Sequence, residues 1–291
     1  MKKKLFALVL AAAMGLALAA CSGGTDSGAA STPSAPAQTE SAAPEGTAPA
    51  ETTSGESDLA YVQEKGTLVV GITEFEPMDY QDENGNWVGF DADMATLFAE
   101  SLGVEVEFQL IDWDSKIMEL DGKTIDVAWN GMTLTEDVKE AMECSNPYFN
   151  NAQVVVVKAD QADKYQTVDS IKDLSFSVES GSAGMEQAEA YSLNYTPAKS
   201  QANTLLEVAS GTSDAAIIDY LMAVASTGEG TSYENLTYTV SLADEQYGVG
   251  FRKGSDLAEK LNEFFAEQYA DGTMQKVAEK YGISEKLVEQ P

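Results

Sequence analysis

Basic side chains are scarce in this sequence. It contains no histidine and one arginine, Arg252, and its 17 basic residues face 48 acidic ones, for a formal net charge of −31. The absence of histidine excludes histidine-based acid–base catalysis, Ser–His and Cys–His nucleophile pairs and most zinc sites. Such a surplus of acids argues against nucleic acid as a partner. An enzyme would have to work without the side chains that enzymes use most often, and we expect no cofactor and no metal.

Cysteine is nearly absent as well, because the chain has only Cys21 and Cys144. Cys21 is expected to carry a lipid, which leaves Cys144 without a partner, so no disulfide framework is expected. The folded part, roughly 230 residues, must therefore be stabilised by burial of apolar side chains. A chain of this length can do so in one or two lobes.

What the N-terminus does contain is an export signal. Lysines at positions 2–4 precede an apolar run over residues 5–16, which is short for a membrane span. Residues 1–20 resemble a bacterial lipoprotein signal peptide, with Cys21 as the residue that is lipidated after cleavage. An ordinary secretory signal followed by a chance cysteine is the alternative.

A stretch rich in Ser, Ala, Thr, Gly and Pro covers residues 21–57. It holds hardly any apolar side chain larger than alanine, so it cannot bury enough surface to offset the entropy of ordering. We expect a disordered tether that holds the folded part outside the cytoplasm, anchored to the cell membrane through lipid on Cys21.

Beyond residue 57 the chain alternates β-rich runs with helical patterns, which is typical of parallel α/β layers. One helix is predicted with Asp91 as its N-cap and Gly103 as its stop. Others are expected to begin near Ala183, at Ser255 and at Thr273. The predicted strands are 67–72, 104–110, 124–131, 152–160, 175–180, 215–219 and 238–243.

Seven segments in this part resemble the polar-amino-acid-binding class (family 3) of the extracellular solute-binding proteins of ABC importers. They occur in the order and spacing of that family, over about residues 65–282. The segments are GTLVVGI, DENGNWVGFDADMATLFAESLGV, IDWDSKIMELDGKTIDVAWNGMTLT, SNPYFNNAQVVVVKAD, VESGSAG, ASGTSDAAIIDYLMA and YGVGFRKGSDLAEKLNEFFAEQYADGTMQKVAEKYG.

The resemblance implies a two-lobed, type II periplasmic-binding-protein-like fold in which two crossover strands form a hinge. It places lobe 1 at residues 58–153 plus 245–291 and lobe 2 at residues 154–244. It also implies a monomeric, non-enzymatic lipoprotein that captures an amino acid or a related amine-bearing solute in the cleft between the lobes. The partners implied are that small molecule and the ABC permease subunits in the membrane.

The resemblance further implies which residues contact the ligand. Phe75 would cover it, Trp113 would contact its side chain, and Asp219 would pair with its α-ammonium. Backbone groups on the loop around Gly131 and at the helix N-terminus near Gly181 would bind its other polar groups. The complete predicted set is Glu74, Phe75, Met78, Trp113, Trp129, Asn130, Gly131, Met132, Thr133, Val138, Gly181, Ser182, Ala183 and Asp219.

Several of these residues have a second interpretation. Phe75 and Trp113 could be core aromatics, Asp219 could cap the following helix, and Thr133 could be only a turn residue. Trp129 lies on an alternating strand and faces either the core or the cleft.

Val138 stands where the family pattern carries an arginine that grips the ligand α-carboxylate. The match from Gly131 to Pro147 needs no gap, so the valine is a substitution rather than a misalignment. Arg252 follows the second crossover, and the family pattern makes it a surface or hinge residue. The sequence therefore predicts a cleft without an arginine clamp.

The loss of this arginine bears on the ligand. A carboxylate closed into a dry cleft without a charged partner costs several kcal/mol, although Lys116 and the helix N-terminus could offset part of this. Acids also crowd the first loop, where we expect Glu76 and Asp79 to be exposed while Glu74 is open between cleft and solvent. Aromatics and acids without an arginine suit a cationic amine.

Two other functions compete with import. A sensor lipoprotein would present its ligand to a signalling partner and use the same cleft. An enzyme resembling cyclohexadienyl dehydratases would use the same fold, but those enzymes grip carboxylates with a cation, and Val138 counts against that.

Overall fold

The structure is a computed structural model that describes residues 57–291. The predictions of a signal peptide over residues 1–20, of lipidation at Cys21 and of a tether over residues 21–57 lie outside these residues, apart from Ser57. The Ser57 side chain accepts a hydrogen bond from the Ala60 N–H and so caps the first helix.

Helices and strands alternate through the described residues. The helices are α1 (Asp58–Lys65), α2 (Phe90–Leu102), α3 (Lys116–Asp121), α4 (Glu136–Ala141), α5 (Val168–Ile171), α6 (Ala183–Ala190), α7 (Gln201–Ser210), α8 (Tyr220–Ser226), α9 (Leu257–Ala270) and α10 (Thr273–Lys280). The strands are β1 (Thr67–Ile72), β2 (Tyr80–Gln81), β3 (Trp87–Val88), β4 (Glu105–Leu110), β5 (Val127–Thr133), β6 (Glu143–Cys144), β7 (Phe149–Lys158), β8 (Ser175–Glu179), β9 (Asn194–Ala198), β10 (Ala215–Asp219) and β11 (Leu236–Phe251). Short 3₁₀ segments lie at Trp113–Ser115, Ala159–Lys164 and Ser284–Lys286.

The main sheet has the strand order β4-β1-β5-β11-β7-β10-β8-β9. Strands β4, β1 and β5 pair in parallel and form a first parallel group. Strands β10, β8 and β9 pair in parallel and form a second. The long strands β7 and β11 lie between the groups, are antiparallel to each other and pair with one group each. The predicted lobe boundaries fall within these two strands and stay a prediction.

The core follows from side-chain alternation on β7. Val154 and Val156 face the largest apolar cluster, which also contains Trp129 and Phe265. Their neighbours Val155 and Val157 face a second cluster on the other side of the sheet. Because successive strand residues point to opposite faces, the run of four valines is buried on both sides.

Helix boundaries differ from the prediction where tertiary contacts override local signals. Gly103 ends α2 in the left-handed conformation, with φ 75°, as predicted. Gly89 holds the N-cap position of α2, however, and Asp91 is fully buried within its first turn. The prediction that Asp91 caps this helix is wrong, because its carboxylate turns inward to bind groups on other elements. Helix α9 begins at Leu257 rather than at Ser255.

Arg252 is a buried structural residue, and the prediction of a surface or hinge position is wrong. Its Nε donates to the Asp58 carboxylate at 3.0 Å and its Nη1 to the carbonyl oxygens of Leu120 and Ile125. A guanidinium that is removed from water needs such partners. Among residues 57–291, none of the helices has both the length and the apolar character needed to cross a membrane.

Candidate functional site

A cavity of about 90 Å³ lies at the ends of strands β5, β8 and β10. Its wall combines residues of both parallel groups, at the edge of the sheet where α/β proteins commonly bind ligands. The lining residues are Trp113, Lys116, Ile117, Asn130, Gly131, Met132, Thr133, Thr135, Asp137, Val138, Glu179, Gly181, Ser182, Ala183, Glu186, Gln201 and Asp219. Ten of the fourteen predicted site residues are therefore brought together here.

Asn130 lines the cavity, but its amide is fully used within the protein. Its Oδ1 accepts from the Thr73 N–H at 3.0 Å and from the Thr73 hydroxyl at 2.8 Å. Its Nδ2 donates to the Thr73 carbonyl at 3.0 Å and to Asp79 Oδ2 at 2.8 Å. An amide has two donor and two acceptor positions, and all four are occupied by these bonds. Asn130 therefore has none left for a ligand and serves to shape the cavity floor. Asp79 is fully buried, and the expectation that it is exposed is wrong.

Gly131 lies within strand β5, not on a loop as the resemblance implies. Its φ is 55°, and a Cβ atom there would lie 2.6 Å from Cε1 of Phe75, so both conformation and space require glycine. Its N–H donates to Asp91 Oδ2 at 2.6 Å and is not available to a ligand. The same Oδ2 accepts from the Tyr148 hydroxyl at 2.8 Å. Burial is the main cause that raises the pKa of Asp91 to about 7.

Two predicted contact residues belong to the core. Trp129 is fully buried, with its ring edge-on to those of Phe98 and Phe265, because strand alternation turns it away from the cavity when Asn130 faces it. Met78 is also fully buried in the main apolar cluster. The prediction that Trp129 and Met78 line the site is therefore wrong.

Two other predicted residues line a neighbouring hollow of about 260 Å³. Phe75 is buried there, packs edge-on against Tyr247 at 6.2 Å and lies against Gly131. Glu74 is exposed in the same hollow, so the structure does not place it beside the cavity.

The turn at Gly181 closes the second side of the cavity. Ser182 is the N-cap of α6, and its hydroxyl accepts from the Met185 N–H at 3.2 Å. Gly181 has φ 70°, and a Cβ atom there would meet the Cα of Asp114 at 2.6 Å. The turn after β8 is thus packed closely against the segment that follows β4.

Asp219 is the last residue of β10 and lines the cavity with a buried carboxylate. Its Oδ1 accepts from Asn151 Nδ2 and from the Tyr247 hydroxyl, both at 2.7 Å, and its Oδ2 accepts from Gln201 Nε2. It precedes α8 without a capping hydrogen bond from its side chain, so the helix-cap interpretation is wrong. Burial is the main cause that raises the pKa of Asp219.

The sequence reasoning missed Glu179, which ends strand β8 and lines the cavity. Its side chain is 3% exposed, and its Oε1 has no hydrogen-bond donor among the residues that the structure describes. Burial first, and then the charge of Asp219, raise its pKa to about 8, while the charge of Lys116 and the side chains of Thr73 and Gln201 oppose the shift. The sequence feature that could have identified Glu179 is its place as an acid at the end of a buried strand, two residues before Gly181.

Lys116 supplies the positive charge in the cavity wall. Its Nζ donates to the carbonyl oxygens of Trp113 at 3.2 Å and Gly181 at 2.9 Å, and it lies 4.9 Å from the centre of the Trp113 ring. Burial lowers the pKa of Lys116, and the nearby charges of Glu179, Glu186 and Asp114 oppose that shift.

The charge of the cavity is therefore unbalanced. Its lining contains two buried acids, Glu179 and Asp219, and two exposed ones, Asp137 and Glu186, against one lysine. Val138 lines the wall and is 7% exposed, so no guanidinium enters from that position. Within residues 57–291, no group of three or more Cys, Asp or Glu side chains is arranged to hold a metal ion. The cavity suits a small solute that carries positive charge.

Comparison with known proteins agrees with this fold. The model of the bacterial extracellular solute-binding proteins, family 3, matches residues 68–284. The chain is 29% identical over 235 residues to the L-cystine-binding protein TcyJ of Escherichia coli K12, covering 77% of this chain and 85% of that protein.

Solved structures show the same relationship. The chain is similar to a mutant of ArgBP from T. maritima, with 32% identity and a TM-score of 0.73 over 77% of this chain and 99% of the other. It is also similar to the ancestral amino acid-binding protein AncCDT-1, a precursor of cyclohexadienyl dehydratase. That match has 30% identity and a TM-score of 0.70 over 77% of this chain and 99% of the other. These likenesses confirm the two-lobed type II fold.

Proposed function

The chain belongs to the bacterial extracellular solute-binding proteins of family 3, and on that premise we propose that it is the substrate-binding subunit of an ABC importer for a small amine-bearing solute. The observation that carries the proposal is the buried carboxylate of Asp219 in the wall of the cavity between the two parallel groups. A buried carboxylate is costly unless it is paired, and a ligand ammonium supplies the missing charge.

The position of Asp219 also suits the expected movement. It ends β10, which pairs with the crossover strand β7, and its hydroxyl donor Tyr247 lies on the other crossover strand, β11. A ligand bound to Asp219 is therefore connected through this carboxylate to the strands that join the lobes, and closure around it would signal the loaded state to the permease. We propose the lipid anchor on Cys21 and a monomeric state as parts of the same role.

The competing roles have less support. The relatives named above are binding proteins, and the chain offers no histidine for catalysis. A ligand-presenting sensor would use the same cavity. Cellular uptake of the bound solute distinguishes import from sensing. Deletion of the gene should abolish uptake of the bound solute if the role is import and leave it unchanged if the role is sensing.

Ligand binding is tested by a thermal-shift screen of amino acids, primary amines and quaternary ammonium compounds, because a ligand that binds the folded state raises Tm. Asp219→Ala should weaken any ammonium-bearing hit by about 2–5 kcal/mol, since a buried charge loses its partner. Asp173→Ala, at an exposed acid outside the cavity, is the matched control. Unchanged affinity in Asp219→Ala, or no hit of these classes, would contradict the proposed function.

A further inference from the structure

Glu179 and Asp219 form a pair of acids at neighbouring strand ends. Strands β8 and β10 are parallel partners, with Val178 opposite Ile217, so both chains leave the sheet at the same edge. Both carboxylates line the cavity and are almost completely removed from solvent. One ammonium at Asp219 would balance one of these two charges, and the only other positive charge among the lining residues is that of Lys116.

The two acids differ in how their oxygens are used. Asp219 accepts hydrogen bonds from Asn151, Gln201 and Tyr247. Glu179 Oε1 has no donor among residues 57–291, since the Lys116 Nζ donates to two carbonyl oxygens and forms no hydrogen bond with it. Other buried side chains also carry an atom without a partner, but Glu179 is the one among them, within the described residues, that lines the cavity.

The surroundings of Glu179 offer little to an anion. Val138 occupies the wall, and Asp137 and Glu186 stand at the cavity rim. Glu186 lies in the first turn of α6, where its charge already offsets the positive end of the helix. A ligand carboxylate would enter a small space with four acids around it and one lysine, Lys116.

We propose that Glu179 determines the ligand class: its Oε1 accepts a hydrogen bond from an ammonium or guanidinium group of a cationic amine that carries no carboxylate. This inference rests on the proposed function and sharpens it. The raised pKa of Glu179, to about 8, agrees with the geometry, because it shows that the site disfavours the second negative charge until a cation arrives.

The test uses three matched pairs, each an amino acid and its decarboxylated amine: alanine and ethylamine, lysine and cadaverine, arginine and agmatine. Their affinities for the full protein are measured by isothermal titration calorimetry at pH 8. We expect at least one amine to bind 10-fold or more tightly than its amino acid. Glu179→Gln, which keeps the shape and removes the charge, should weaken that amine at least 10-fold, whereas Glu234→Gln, at an exposed acid outside the cavity, should leave it unchanged.

A pH series gives a second readout that a folding defect would not produce. These amines stay protonated from pH 6 to pH 8, while Glu179 must lose its proton to pair with them. Amine affinity should therefore rise by up to about tenfold per pH unit in the wild type and by less in Glu179→Gln.

The outcomes separate the two proposals. Preference for the amino acid in every pair, no binding by any of the three amines, or unchanged amine affinity in Glu179→Gln would each overturn the role of Glu179. Any of these results leaves the proposed function standing if a ligand from the wider screen is lost in Asp219→Ala.

Discussion

Asp91 and Glu179 are two buried acids with different relations to the cavity: Glu179 lines it, whereas Asp91 binds the backbone of Gly131, which lines it. Each has one carboxylate oxygen without a hydrogen-bond donor in the described residues, and burial raises both pKa values, to about 7 and about 8. Asp91 lies behind the floor, where its other oxygen holds Gly131 and Tyr148. Glu179 faces open space. An unpartnered buried oxygen therefore supports the proposal of a ligand contact only where it lies beside a cavity.

The largest effect is expected from removal of Asp91, the acid of this pair to which we assign a structural role. Asp91→Ala leaves the Gly131 N–H and the Tyr148 hydroxyl without their acceptor, so the free energy of unfolding should fall by about 3 kcal/mol. Urea denaturation measures it. Glu100→Ala, at an exposed acid of the same helix, is the control. A loss below about 1 kcal/mol would mean that Asp91 does not hold the floor.

A substitution at Val138 tests the proposed preference of the cavity for a ligand without a carboxylate. Val138→Arg restores a guanidinium at the position where the family pattern has one, and should favour arginine over agmatine by about 2 kcal/mol, roughly 30-fold, relative to the wild type. Calorimetric titration with both compounds measures the change. Val138→Met adds length without charge and should not shift the preference. An unchanged preference in the arginine variant would show that the ligand carboxylate does not reach this wall.

The pH dependence of the ligand-free protein compares both acids at once. The folded protein keeps protons on Asp91 and Glu179 at pH values where the unfolded chain has released them. The stability that they contribute is present below about pH 4 and is lost as pH rises towards 7 and 8, by at most about 1.4 kcal/mol per pH unit for each group. Glu179→Gln should remove its share of this loss, and identical pH profiles for variant and wild type would contradict the raised pKa.

The smallest effect is expected at Glu74, which was predicted to touch the ligand. Its side chain is exposed and lines the neighbouring hollow. Solvent and salt screen such a charge, so Glu74→Gln should change ligand affinity by less than about twofold. A tenfold loss would place the ligand across both hollows.

The fold was largely predictable because its signals are local and repeated. Strands β1 and β10 match the predicted runs 67–72 and 215–219 residue for residue. Their apolar residues and flanking turn residues already specify buried parallel strands. Asp219 was found in the same way, as the acid at the end of such a strand.

The errors fall where a side chain depends on distant partners. Asp91 is a residue type that commonly caps helices, but its carboxylate accepts a hydrogen bond from Gly131, 40 positions away. Arg252 looked like a surface residue but is buried against Asp58, from the other end of the chain. Glu179 had the same local pattern as Asp219, and only the tertiary structure shows that its oxygen opens into the cavity. Local patterns predict elements, not the direction in which a polar side chain finds its partner.

The position of Trp113 has a practical consequence. Of the three tryptophans in the sequence, Trp113 alone lines the cavity, since Trp129 is sealed in the core and Trp87 packs beside Phe108. A cationic solute entering beside Lys116 would change the electric field and the hydration of this indole. The protein thus contains its own optical probe, and a shift in tryptophan emission should report occupancy of the cavity without any added label.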